Sequence, residues 1–269
     1  MDTKLNECII VRKKMGDTVV MAKNRDRMYR PELEVVHELL NGVEVVYLHD
    51  TITDWSEGIN EYGIGVLNTA LMVGYDEKEK QLVKKTGKKS KDGIKIREAL
   101  GQRTLKDTIV IAAKFMGGIK GHTFISTEDK VVSIETTSKH NPRFTIHQSD
   151  AHVVRTNHGH DHWDAGYTEG PDYLSSKVRK ASAEKLTGKA EDPQGVLNAL
   201  RQDLFSKKSN LNMTRKTDKM NTSSQVLLNL TDLIFELNYF DDKVDKFHGI
   251  KTNLPKGYEP KIKIEIKKL

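Results

Sequence analysis

A chain of 269 residues with one cysteine forms no internal disulfide and has the length to bury a core without one. Its 44 basic and 38 acidic side chains leave a net charge of +6, too mild a surplus to single out nucleic acid as a partner. No apolar run is long enough for a membrane helix and Met1–Glu7 is polar, without a signal-peptide core, so a soluble cytoplasmic protein is expected.

The first elements read as a hairpin. β-branched residues flank Lys13-Lys14-Met15-Gly16-Asp17, so Cys8 is expected to start one strand and Lys23, Asn24 and Asp26 to end the next. Leu33–Leu40 and Val43–Leu48 form a second strand pair around Asn41-Gly42, a strong hairpin signal. Glycines 58, 63 and 65 predict tight turns into a buried strand over Gly65–Met72. Tyr75–Asp92 is charged and loop-like. Lysines cluster from Lys78 to Lys95 and again from Lys256, which reads as a solvated surface or as a footprint for an acidic partner.

Ile94–Leu100 and Leu105–Phe115 have helical spacing, with Thr104 as N-cap of the second and Gly117-Gly118 as its end. Strands are expected over His122–Ser126, Val131–Thr136, Arg143–His147 and His152–Arg155. Tyr173–Leu186 and Val196–Phe205 read as helices, the latter introduced by Asp192-Pro193. Ser223–Leu230, Leu233–Tyr239 and Lys261–Ile266 complete the strands. Strand runs and helix pairs that segregate in this way predict an α+β fold of antiparallel sheets.

The chemistry centres on Cys8. A lone cysteine is ordinarily a small buried hydrophobe. A chain cut between Glu7 and Cys8 would give Cys8 a free α-amine with a pKa of about 7.7–8.0, a general base within reach of its own thiol. Asp26 is a candidate holder of that amine. Parity constrains the rest: Lys23 and Arg25 share one strand face, and Asn24 and Asp26 share the other. The strand aims all of them at Cys8 only if it ends or bulges at Asn24.

A competing constellation is Asn157-His158-Gly159-His160-Asp161-His162. Alternate histidines on a strand would face one way and suit a metal-dependent hydrolase, although the spacing matches no closed metal site. A third reading is a non-catalytic binding module with a basic surface.

Cys8 followed by a hairpin that ends in Lys23-Asn24-Arg25-Asp26 resembles the start of the choloylglycine hydrolase and penicillin V acylase superfamily, to which isopenicillin N acyltransferase and acid ceramidase are related. Further resemblances follow in family order: Gly58-Ile-Asn-Glu-Tyr-Gly-Ile-Gly65, His122–Glu135, Val154-Arg-Thr-Asn157-His158, Ser175-Ser-Lys-Val-Arg179 and Thr222-Ser-Ser-Gln-Val-Leu227. The resemblance implies a four-layer αββα N-terminal-nucleophile hydrolase. Residues 1–7 would be a short pro-segment and 8–269 one domain. Cys8 would be the nucleophile, Asp26 the holder of its amine and Asn157 the oxyanion donor. Asn68 is a second donor candidate, and Arg179 completes the polar cluster. Lys23 and Asn24 would contact substrate, with lysine standing where bile salt hydrolases have arginine. The implied partner is a small linear amide, hydrolysed or transferred, with no cofactor and no metal; a homo-oligomer is left open.

Overall fold

In a computed structural model, which describes residues 6–71, 92–114, 118–137, 141–218, 220–241, 246–254 and 264–265, the first strands form the expected hairpin. Strands β1 (Asn6–Met15) and β2 (Thr18–Arg27) pair from Asn6↔Arg27 to Met15↔Thr18, which leaves only Gly16-Asp17 as the turn. Cys8 therefore lies within β1 and not at its start. The expected turn residues Lys13, Lys14 and Met15 continue the strand.

β3 (Leu33–Leu40) and β4 (Val43–Asp50) are joined at Asn41-Gly42, where φ is +52° and +73°. Two consecutive positive φ values are what the tight hairpin turn requires, and Asn-Gly tolerates them. β5 (Trp55–Asn60) and β6 (Gly65–Thr69) follow, the latter shorter than expected. Most of the charged Tyr75–Asp92 segment and of the Lys78–Lys95 cluster lies outside the described residues, as does nearly all of the tail from Lys256.

Helix α1 spans Asp92–Leu100 and α2 spans Leu105–Ala112. The Thr104 Oγ1 caps α2 by accepting the Asp107 N–H at 3.1 Å. β7 (Gly121–Ser126), β8 (Val131–Thr136), β9 (Arg143–His147) and β10 (Val153–Arg155) match the predicted strands within a residue. α3 (Gly170–Thr187) and α4 (Pro193–Leu200) come next, with Asp192 Oδ1 accepting the Gly195 N–H at 2.6 Å. α4 ends at Leu200, short of the expected Phe205. The chain closes with β11 (Asn221–Asn229), β12 (Ile234–Asp241), β13 (Lys246–Asn253) and β14 (Ile264–Glu265). β13 is an edge strand, mostly exposed or half-buried, and its polar sequence gives no strand signal.

The described strands form two antiparallel sheets. One runs β10-β1-β2-β11-β12-β13; the other runs β14-β3-β4-β5-β6-β7-β8-β9. Apolar side chains fill three layers. Ile10, Met21, Leu48, Leu67, Phe124 and Val226 pack between the sheets. Val45, Val66, Ile96, Ala112 and Ile134 pack the second sheet against α1 and α2. Ile9, Val11, Ala22, Ala183, Val196 and Leu200 pack the first sheet against α3 and α4. The order is helix, sheet, sheet, helix, the αββα sandwich that the resemblance implies. No helix among the described residues is long and apolar enough to cross a membrane.

Lys13 ties the first sheet to its helices. Its ammonium donates to the carbonyls of Thr187, Gly188 and Ala190 at 2.8, 2.7 and 2.6 Å, at the C-terminus of α3 and just past it. Lysine is suited there because the last carbonyls of a helix lack backbone partners. We expect Lys13→Met to remove three charge-assisted hydrogen bonds to partly buried carbonyls and to lower stability by about 1–3 kcal/mol in chemical denaturation.

Candidate active site

β2 is the middle strand of its neighbourhood, with β1 on one side and β11 on the other. Its last five residues, Lys23 to Arg27, are all polar and all buried. Burying five such side chains is tolerable only where each finds partners. The alternation of the strand sends those partners to opposite sides.

Lys23, Arg25 and Arg27 face the space between the sheets. Cys8 lies directly opposite Arg25 and points the same way. Lys23 is ion-paired with Glu57 and donates to the Asn68 carbonyl at 2.5 Å. Arg25 approaches Glu57 at 3.2 Å and Asp50 at 3.4 Å. Arg27 Nη1 donates to the Cys8 sulfur at 3.5 Å and to the Asp26 carbonyl at 2.8 Å. Three cations, with two carboxylates to pair them, thus share the face of Cys8, which is 2% exposed, and Arg27 reaches its sulfur. Burial lowers the Lys23 pKa, opposed by the nearby Cys8 and Glu57. Burial also works against the Arg27 charge, but the Cys8 sulfur beside it, with Tyr29, raises that guanidinium above its ordinary value.

Glu7, Asn24 and Asp26 face the helix layer. Asp26 accepts from Arg179 Nη1 at 2.8 Å and from Thr222 Oγ1 at 2.7 Å. Thr222 reaches it at a bulge, where β11 slips register against β2 between Thr222 and Ser224. The bulge is therefore in the partner strand, and the parity of β2 is unbroken through Asn24. Arg179 Nη2 donates to Glu7 at 2.8 Å and to Asn157 Oδ1 at 3.1 Å. The Glu7 carboxylate also takes Arg215 Nη1 at 2.7 Å and the Tyr167 hydroxyl at 2.9 Å.

Asn157 joins the two faces. Its Oδ1 accepts the Cys8 backbone N–H at 3.2 Å, and its Nδ2 donates to Thr69 Oγ1 at 3.1 Å and to the Ala70 carbonyl at 2.7 Å. In this uncut chain the amide therefore holds the Cys8 nitrogen, and its donor side is committed to β6 and the residue after it.

Of the residues singled out in the sequence, Cys8, Asp26, Asn157, Arg179 and Lys23 gather here. Two do not. Asn24 sits in the helix layer, where Nδ2 donates to the Leu200 and Met213 carbonyls, each at 2.8 Å, and Oδ1 accepts from Gln225 at 2.7 Å. It clamps the α4 end to the sheet and does not face the sulfur. Asn68 shares a face with Val66, toward α1 and α2, and its Nδ2 donates to Lys120 and Thr123 at 3.0 and 2.7 Å. Its neighbour Thr69 is the residue turned toward Asn157.

Arg27, Glu7, Tyr167 and Arg215 were not foreseen. Arg27 had a signal: basic residues at 23, 25 and 27 form a period-two stripe on the face of Cys8. Arg215 had none, because it lies in irregular backbone after α4.

The histidine constellation does not converge. Glu135 accepts the backbone N–H groups of His160, Asp161 and His162 at 3.0, 2.8 and 3.0 Å, which wraps the segment around a carboxylate. The His158 Nδ1 lies 2.8 Å from Ser176 Oγ, the His162 Nε2 donates to the Asn141 carbonyl at 3.1 Å, and the His160 side chain is 44% exposed. No group of side chains among the described residues is arranged to hold a metal ion.

Burial and the neighbouring His122 push the His158 pKa down to about 3. A histidine whose folded pKa is depressed binds fewer protons folded than unfolded. Its contribution to stability is complete above about pH 6.5 and is lost as the pH falls toward the folded value. We therefore expect thermal melts between pH 7 and pH 4 to fall more steeply for the native chain than for His158→Asn, which has no group that titrates at this position.

No family model and no curated protein matches the chain. Solved structures do. A variant of conjugated bile acid hydrolase from Clostridium perfringens superposes with a TM-score of 0.63 at 12% identity, over 97% of both chains. A second variant of that hydrolase gives 0.58 at 12% identity over 97% of each chain. Penicillin V acylase from Agrobacterium tumefaciens gives 0.52 at 11% identity, over 96% of this chain and 91% of its own. The likeness spans 91% or more of each molecule, and this chain has their fold.

Proposed function

We propose that the protein is an N-terminal-nucleophile amidohydrolase that cleaves linear carbon–nitrogen amide bonds with Cys8. The observation that carries this reading is the setting of Cys8. A buried thiol sits on an inner strand with Arg27 at 3.5 Å from its sulfur and Asn157 at 3.2 Å from its nitrogen. The fold shared with a bile acid hydrolase and a penicillin acylase supports it.

The first reaction is the chain's own. The Cys8 sulfur attacks the Glu7 carbonyl, the Glu7–Cys8 C–N bond breaks, and the acyl group moves to sulfur. Water then hydrolyses the thioester, freeing residues 1–7 and leaving Cys8 with an α-amine. In each later turnover that amine takes the thiol proton as sulfur attacks the substrate amide. Asn157 turns its amide from Ala70 toward the oxyanion, assisted by a backbone N–H; such a donor is worth roughly 2.7–4 kcal/mol. The amine product departs with the proton, and water releases the acyl group. Asp26, fixed by Arg179 and Thr222 and opposite Glu7 in the register, is the carboxylate we assign to hold the new amino terminus.

The mass of the purified chain tests the first step. We expect residues 1–7 to be missing from the native protein and present in Cys8→Ala. Amide hydrolysis is expected in the former and absent in the latter. Turnover by a chain that still begins at Met1, or by Cys8→Ala, overturns the proposal. An added amine that intercepts the acyl group in place of water would move the reading from hydrolase to acyltransferase.

A further inference from the structure

Glu7 belongs to the segment that the proposed cut removes, yet it is among the best-held carboxylates in the molecule. It is 2% exposed. Oε2 takes Arg179 at 2.8 Å and Arg215 at 2.7 Å, and Oε1 takes the Tyr167 hydroxyl at 2.9 Å. Arg215 is itself set from several sides, with Nη2 on Ser175 Oγ at 2.7 Å and Nε on the Asn210 carbonyl at 3.3 Å. Two guanidinium groups and a phenol from three parts of the chain thus form a carboxylate pocket one residue from the nucleophile.

Charge makes the pocket more than a packing detail. In the uncut chain, Arg179 and Arg215 face Glu7 and Asp26, two against two. Loss of Glu7 leaves two guanidinium groups and the new α-amine facing Asp26. Arg215 is left with Asp26 at 3.8 Å as its remaining carboxylate among the described residues. A buried cation stripped of its partner is strongly disfavoured, so the cut site demands an anion.

The covalent chemistry fixes where that anion sits. During self-cleavage the acyl group on Cys8 is the Glu7 residue. Its carbonyl carbon and its carboxylate are separated by Cα, Cβ and Cγ. The site therefore hydrolyses, as its first acyl group, a substituted glutaryl thioester with the distal carboxylate in this pocket. We propose that the pocket formed by Arg179, Arg215 and Tyr167 takes the terminal carboxylate of the acyl half of the substrate once residues 1–7 have left, so that the preferred amides are those of five-carbon dicarboxylic acids. This rests on the amidohydrolase reading above.

The test compares N-glutaryl and N-pentanoyl 4-nitroanilide, equal in chain length and different in charge, on chain shown by mass to be cut. We expect kcat/KM to favour the glutaryl amide by about tenfold or more, the scale of charge-assisted hydrogen bonds. Arg215→Gln is expected to bring that ratio toward one; the ratio is internal to one sample, so partial loss of folded protein does not imitate it. Glutarate should raise the melting temperature of the cut chain, and pentanoate should not. A cut chain with a ratio at or below one, or one on which glutarate and pentanoate act alike, overturns this inference and leaves the amidohydrolase reading standing. A chain that stays full length overturns both.

Discussion

The period-two alternation of one buried strand organises the molecule. From Lys23 to Arg27, β2 exposes none of its side chains to solvent, so each must be neutralised or hydrogen-bonded inside. Odd positions project between the sheets and even positions into the helix layer. The first face meets Glu57, Asp50 and the sulfur of Cys8; the second meets Arg179, Thr222 and the carbonyls of Leu200 and Met213. A slip of one residue between β1 and β2 would exchange the two sets and leave every charge unpaired. The Gly16-Asp17 turn and the apolar residues Ile9, Ile10, Val19 and Met21 therefore hold the register on which the polar end depends.

That arrangement separates two duties that cluster around one cysteine. The sulfur lies among the groups between the sheets, and the backbone nitrogen lies at the edge of the helix layer. Asn157 is the contact between them, gripping the nitrogen with its oxygen and β6 with its amide. The buried charges also explain why this end of the sandwich lacks an apolar layer. Specificity of pairing replaces hydrophobic area there, at the cost that removing any one partner strands another.

Much of the fold was legible because its strands obey local rules. Asn41-Gly42 announces its turn, and Val131–Thr136 has the apolar density of a core strand. The helix starts at Thr104 and Asp192 follow capping chemistry, and both caps form. Helix ends were less visible, since α4 stops at Leu200 where Asn24 claims its last carbonyl from across the sheet. β13 was invisible because an edge strand needs no apolar alternation. In the site, the parity of β2 was readable, and so was the difficulty it posed for Asn24. What no local pattern could supply was Arg215, set by loop backbone, or the grip of Glu135 on three successive N–H groups, which turns a histidine-rich string into a structural wrap.

The topology of the first sheet has a consequence for biosynthesis. β1 and β2 are synthesised well before Asn157, Arg179, Arg215 and, on β11, Thr222, which complete their charged end. The thiol is therefore made long before the residues that pack around its strand. The order of strands in the sheet therefore delays the assembly of this buried polar cluster until β11 has been made.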